Sequence, residues 1–334
     1  MKRHLSALTV VVVFLAVGAV YSQSRDKIEI VPPKSYVPPK ITQSAKLQAI
    51  LDAAVNGLLK SYADGGSFKD TDIAATLIDL RDPKDIQTGY VRGDERIYPA
   101  SVVKMFYMNA LERQLEDGKI TLTPEMARGL KDMIVVSSNE ATQYILDVLT
   151  DTSSGAELPS DEFAKWQNKR NRVNRFYSAM GYTNINVNQK TFCEDAYGIE
   201  QQSRNYGGQN RNMLTTNATA RLLTEIVLGR MNTPDRTKAM MDLMHRDPFA
   251  KTDDPDSQDT GFSGKALLDL KMTDARIWAK AGWTSNARHD AAYIETPDGL
   301  KFVLVVFTEH HANDREVIPT IVKRVIAGLR GDSK

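Results

Sequence analysis

The strand-forming segments of this chain lie at its two ends, and the stretch between them reads mostly as helix. Near the start, Leu47, Ile50, Leu51, Ala54, Val55, Leu58 and Leu59 recur at i, i+3, i+4 spacing and predict an amphipathic helix that stops at Asp64-Gly65-Gly66. Ile73–Leu80 then reads as a buried strand, Asp82-Pro83 as a turn, and Thr88–Arg92 as a second strand. At the other end, Ile277–Lys280, Ala291–Glu295 and Leu300–Thr308 read as strands, the last two joined by the turn Thr296-Pro297-Asp298-Gly299. A final helix covers Asp314–Leu329, opened either by Asn313 and Glu316 as a capping box or by Pro319 one turn later. From Ser101 to Gly229 the pattern is helical; Leu214–Val227 is its clearest later helix, with Thr216 or Asn217 as cap. Residues 245–270, rich in Asp, Gly and Ser, read as a mobile surface insertion.

One sheet fed from both ends obliges the helical middle to leave it and return as a separate lobe. The fold class is therefore α/β in the α+β sense: an antiparallel sheet flanked by the first and last helices, plus a mostly helical lobe, with a cleft between them. The α/β lobe spans 43–100 and 275–334 and the helical lobe 101–274. With 334 residues, 42% of them hydrophobic, the chain is long enough for a sizeable core.

Residues 1–22 have the layout of a secretory signal peptide: Lys2 and Arg3, the apolar run Leu5–Val20, then small residues before Ser22-Gln23. An uncleaved anchor is the alternative, although the run is short for a membrane span. Export into the periplasm or beyond follows, with no stable membrane span once the leader is removed. Residues 23–42, with Pro32-Pro33 and Pro38-Pro39, read as a stiff tether without a core of its own, and the folded part, 43–334, follows. The net charge of +1 gives no reason to expect nucleic acid as a partner. Cys193 is the only cysteine, so no intrachain disulfide is possible, and it reads as a small buried apolar residue.

Chemistry is concentrated at Ser101-Val102-Val103-Lys104, where an extended segment, Asp94–Ala100, gives way to the apolar run Met105–Leu111. A serine hydroxyl is a weak nucleophile until a neighbouring base takes its proton. On a helix, i and i+3 share a face, so Lys104 can reach the Ser101 oxygen, and burial beside other cations lowers a lysine's charge preference. Ser24-Arg25-Asp26-Lys27 matches the same S-x-x-K pattern inside the tether and shows how easily it arises by chance. Ser101 has company, however. Ser137-Ser138-Asn139 follows the apolar Met133–Val136, and Lys280-Ala281-Gly282 follows Ile277-Trp278-Ala279.

In these three motifs and their order, the chain resembles the class A β-lactamase and penicillin-binding serine hydrolase superfamily over residues 44–332. The resemblance implies a β-lactamase/transpeptidase-like fold and an enzyme that needs no metal or cofactor and acts as a monomer on a small-molecule β-lactam or a peptidoglycan peptide. It makes Ser101 the nucleophile and Lys104 the base, alone or with a glutamate acting through water. Ser137 would relay a proton to the departing nitrogen, and Asn139 would hold the substrate amide. Both are also good helix caps, which is the plainer reading of each. Lys280 would add positive potential, and Gly282 would let substrate pair closely with its strand. The backbone N–H groups of Ser101 and Trp283 would form an oxyanion hole.

Four departures from the family pattern matter. Ser138 replaces the usual Asp. Ala281 removes the hydroxyl expected in K-T-G, which Thr284 or Ser285 would have to supply. Only 36 residues separate Ser101 from Ser137, whereas 141 separate Asn139 from Lys280, so one wall of the cleft is short. The usual deacylation motif is absent, leaving Glu194 in Thr191–Asp195 as the candidate to activate water, with Glu200 as competitor. With that carboxylate available, the expected activity is hydrolysis of a β-lactam amide through a Ser101 acyl-enzyme, as in a class A β-lactamase; a penicillin-binding or D-alanyl-D-alanine peptidase-like protein with slow deacylation is the alternative. A non-catalytic peptidoglycan-binding module is the third possibility. Glu309-His310-His311 reads as a surface turn, His289-Asp290 as a poor substitute for a Ser-His-Asp triad, and Arg288 as a weak carboxylate partner.

Overall fold

The computed structural model describes residues 28–62 and 68–332, so the leader, the Ser24–Lys27 match and the Asp64-Gly65-Gly66 stop lie outside the described residues. Seven strands, β1 (Ile41–Gln43), β2 (Ile73–Asp79), β3 (Ile86–Val91), β4 (His245–Arg246), β5 (Arg276–Trp283), β6 (Ala287–Glu295) and β7 (Lys301–Glu309), form one sheet in the order β1-β3-β2-β7-β6-β5-β4. Only β1 runs parallel to its neighbour. Strand β2, from the first end of the chain, pairs antiparallel with β7, from the last. The two ends thus meet in mid-sheet, as the sequence predicts.

Helices α1 (Ala45–Tyr62) and α11 (Val317–Arg330) cover one face of the sheet, packing Leu51, Leu58, Ile321 and Val325 against Leu77, Ile294 and Leu304. The other face meets the helical lobe: α2 (Val103–Glu116), α3 (Pro124–Ile134), α4 (Asn139–Thr150), α5 (Ser160–Arg170), α6 (Arg172–Ala179), α7 (Ile199–Arg204), α8 (Thr216–Val227) and α9 (Pro234–Met244), whereas α10 (Ser263–Asp269) lies with α1 and α11, its Ala266 and Leu267 in their core. Helix α2 is the axis of that lobe; every residue from Val103 to Leu115 is buried. A helix enclosed on all sides can hold a lysine away from water, and Lys104 is on its first turn.

Several local details differ from the sequence reading. The cap of α8 is Thr215, one residue earlier than predicted, with its hydroxyl accepting from Ala218 N. The Asn313–Glu316 capping box does not form; α11 starts at Val317 without a side-chain cap, and Pro319 falls within its first turn, where its missing N–H costs no helical bond. The proline-rich segment is packed rather than free from Ile28 onward. Ile30 is 3% exposed, Tyr36 donates to Glu225 at 2.9 Å, Glu29 pairs with Arg175, and Ile41–Gln43 joins the sheet. Residues 245–270 are more than a surface insertion: they contribute β4, α10 and a side chain in the cleft, and 251–255 form a continuous exposed stretch.

Candidate active site

The nucleophile candidate is placed by a constrained approach. Ile97 exchanges backbone bonds with Leu214 at 2.9 Å each way, and the Tyr98 carbonyl meets His289 Nε2 at 2.9 Å. Because His289 Nδ1 accepts from Thr308 N at 3.1 Å, its Nε2 must carry the proton. Complete burial pushes this histidine down to about 4, so it is neutral. It is therefore committed to holding the chain ahead of Ser101, which removes the triad reading. Ala100 then takes φ 46°, a conformation costing an L-residue roughly 1–2 kcal/mol. A single 3₁₀ turn, Ala100–Val102, leaves Ser101 half-buried at the mouth of α2.

Gly282 explains how strand β5 can lie against that turn. A Cβ there would sit 2.7 Å from Ser101 N and 2.9 Å from Pro99 O. The glycine thus serves contact between β5 and the nucleophile turn, a tighter demand than the substrate pairing expected of it. The same contact brings Ser101 N beside the end of β5, where Trp283 is 39% exposed.

Behind the serine lie two buried lysines joined through Ser137. Lys104 Nζ donates to the Ser137 carbonyl, to Ser137 Oγ at 3.3 Å and to Asn139 Oδ1 at 2.9 Å. Lys280 Nζ donates to Ser137 Oγ at 3.0 Å, to the Ala281 carbonyl at 2.8 Å and to Gln258 Oε1. Ser101 Oγ is not among their hydrogen-bond partners. Burial lowers Lys104 to about 7, against the pull of Glu140 and Cys193. Burial, and then the charge of Lys104, press Lys280 well below the lysine range, which weakens the positive potential predicted for it. Two amines this dry cannot both carry a full charge cheaply, so the cluster is a reservoir of exchangeable protons.

The capping question at Ser137-Ser138-Asn139 has a clear outcome. Ser138 is the N-cap of α4, accepting from Ala141 N at 3.0 Å, so Ser137 and Asn139 are left to face the lysines. A serine caps about as well as the aspartate usual in the family, which explains how Ser138 is tolerated. Ser137 itself sits at φ 61°, a second strained residue at the site.

Gln258 belongs to no motif in the sequence. Its Oε1 accepts from Lys280 Nζ and from Ala281 N at 3.2 Å, while its Nε2 donates to the carbonyls of Ile134 and Val135 at 3.1 and 2.8 Å. One side chain thereby ties β5 to the end of α3. The long segment after Asn139 is thus joined to the stretch just before Ser137. Thr284, considered as a replacement for the lost hydroxyl, is occupied in its own turn, accepting from Asn286 N and Ala287 N. Arg288 is buried against Phe262 and paired with Asp256 at 2.7 Å.

The loop carrying the deacylation candidates is different in character. Cys193, predicted to be buried, is exposed, and its sulfur accepts from Asn139 Nδ2 at 3.3 Å. Glu194 is exposed beside it. Glu200 is buried; burial opposes its ionisation, but Arg170 at 2.7 Å and Lys190 at 3.2 Å outweigh this and hold it below the usual carboxylate range. His311 packs on Phe68 and faces Asp72 at 3.1 Å, within the turn predicted for Glu309-His310-His311.

A strained serine turn, a buried Lys–Ser–Lys cluster and an asparagine at a helix start, set between a sheet and a helical lobe, are the arrangement expected of the β-lactamase-like serine hydrolase family. The model of the beta-lactamase enzyme family matches residues 65–327, and the chain belongs to that family. Among solved structures, the chain is similar to a beta-lactamase from Sphaerobacter thermophilus DSM 20745 (18% identity, TM-score 0.58, covering 85% of this chain and 98% of that one). It is also similar to a mutant PBP-A in an acyl-enzyme complex with penicillin G (16%, TM-score 0.57, 88% and 99%) and to the TLA-3 extended-spectrum beta-lactamase (15%, TM-score 0.57, 84% and 98%). At these identities the likeness is one of fold. No curated protein matches the chain.

Proposed function

We propose that the protein is acylated at Ser101 by β-lactam amides, and by the cell-wall peptides they mimic, and that the acyl-enzyme is released slowly. The observation that carries this reading is Ser137 Oγ, held between Lys104 Nζ and Lys280 Nζ directly behind the serine turn. With Lys104 near neutrality, its free amine takes the Ser101 proton, directly or through a water, as Oγ attacks the amide carbonyl. The backbone N–H groups of Ser101 and Trp283 stabilise the oxyanion. As the C–N bond breaks, Ser137 gives its proton to the departing nitrogen and is resupplied by the two lysines. Asn139 orients the substrate amide.

Hydrolysis of the ester then needs a base for water. Glu200 is committed to Arg170 and Lys190, and Cys193 rather than a carboxylate reaches Asn139. Slow release follows. Fast hydrolysis through Glu194 is the second reading, favoured by its place next to Cys193: a shift of the loop by one residue would exchange the sulfur for the carboxylate. Residues 1–22 would export the chain, and it would act as a monomer. Intact-mass spectrometry of residues 23–334 with penicillin G tests the proposal. A single adduct of the drug's mass, absent from Ser101→Ala, is the expected result; no adduct on either protein overturns it.

A further inference from the structure

A cavity of about 510 Å³ opens between α5, α6 and the segment after α7, in the size range of small-ligand sites. Its lining is unusual in that eight of its twelve residues are carboxamides. Ala164 is its only aliphatic side chain and Arg96 its only charged one. The amides are organised rather than scattered. Asn171 Oδ1 accepts from Asn174 Nδ2 at 2.7 Å and from Asn188 Nδ2 at 3.1 Å, and Asn174 Nδ2 also reaches Asn186 Oδ1 at 2.6 Å. This network fixes which end of each group is left over. The Nδ2 of Asn171 has no partner among the described residues. Gln167 is 7% exposed; its Oε1 accepts from Ser203 at 2.7 Å, and its Nε2 donates to no group among the described residues. Gln209 is exposed and its side chain makes no hydrogen bond among the described residues, and Tyr206, 56% exposed, offers its ring at the rim.

We infer that this cavity binds a neutral saccharide carrying N-acyl groups. A hydroxyl or an acylamino group both donates and accepts, and a carboxamide answers both needs without a charge to desolvate. An aromatic face at the rim suits the apolar side of a sugar ring. An anionic ligand would meet one arginine only. A peptide would call for a free strand edge or apolar side-chain pockets, and the lining supplies neither. The inference goes beyond the acylation proposed above and does not depend on it. The two sites are nonetheless near one another: Arg96 is five residues before Ser101, at most about 18 Å along an extended chain. A polymer whose peptide enters the cleft would lay its sugar chain over the amides.

Titration of the full chain with tetra-N-acetylchitotetraose, read by calorimetry and by saturation-transfer NMR, tests the inference. Saturable binding is expected, weakened about tenfold by Tyr206→Ala and again by Gln209→Ala, two exposed positions whose loss leaves the amide network intact. Tyr144→Ala, at an exposed aromatic outside the cavity, should leave it unchanged. Penicillin adduct formation, measured in parallel, should be the same in all three variants. No binding at low-millimolar sugar, binding indifferent to the cavity variants, or preferential binding of an alanine tetrapeptide would each overturn the inference. A chain that binds the sugar but never forms the adduct would instead sink the acylation reading alone.

Discussion

The floor of the cleft and the loop above it are built on opposite principles. On the floor, Lys104 and Lys280 are fully buried, each hydrogen-bonded to at least three groups, and Ser137 is shared between them. In the loop, Cys193 and Glu194 are exposed, and a single sulfur contact at 3.3 Å links it to the site. Groups that must react in a set order need geometry fixed in advance, because each ångström of misplacement can cost about a hundredfold in rate. The floor meets that demand and the loop does not. On the proposed function, acylation and deacylation would therefore be separable in this protein, and the comparison can be pushed from either side.

The largest effect should come from the floor. Lys104→Ala removes the base and should slow penicillin adduct formation by about 10²–10⁴-fold, measured by stopped-flow or by timed mass spectra. Gly282→Ala should follow at about a hundredfold, since its Cβ must push β5 away from Ser101 N at 2.7 Å. Unchanged acylation in that variant would mean the close contact is incidental. From the loop side, Cys193→Glu places a carboxylate at Asn139 and should speed loss of the adduct at least about tenfold, leaving its formation nearly untouched. If adduct formation changed and its loss did not, the division between floor and loop would fail.

Two smaller effects concern pH and packing. Lys104 is needed as the free amine, so the acylation rate should rise with pH up to about 7 and level off above it. His289 titrates at about 4 when folded and near 6.5 when unfolded, so the unfolded chain binds the extra proton first. Stability should be undiminished by this group above pH 6.5 and decline as pH falls from there towards 4, read from urea midpoints. Gln258→Ala strands the Val135 carbonyl and one Lys280 proton, while Arg246 still donates to the Ile134 carbonyl, and should cost about 1–3 kcal/mol in the same experiment.

Much of this site could be read in the sequence because its parts are local. Ser101 and Lys104 lie three residues apart on one turn, and Ser137-Ser138-Asn139 is a contiguous helix start. Lys280 was found through its strand. The two-ended sheet followed from alternating and buried runs at each terminus. What could not be read depends on tertiary placement. Gln258 lies in a stretch without periodicity, and only docking on β5 gives it a role. The reason for Gly282 is a neighbour 181 residues away in sequence, Ser101. Cys193 has the composition of a core residue, but its loop faces outward. The misplaced α8 cap is an error of one residue, within the ordinary uncertainty of helix ends.

The central claim is that this site acylates well and deacylates poorly. Its most direct test is the lifetime of the Ser101 adduct after free penicillin has been removed, followed by intact mass on the wild-type chain. The account predicts an adduct that persists for minutes or longer after forming within seconds. An adduct lost as fast as it forms, with hydrolysed penicillin accumulating over many turnovers, would contradict it and return the loop, and Glu194 with it, to the catalytic machinery.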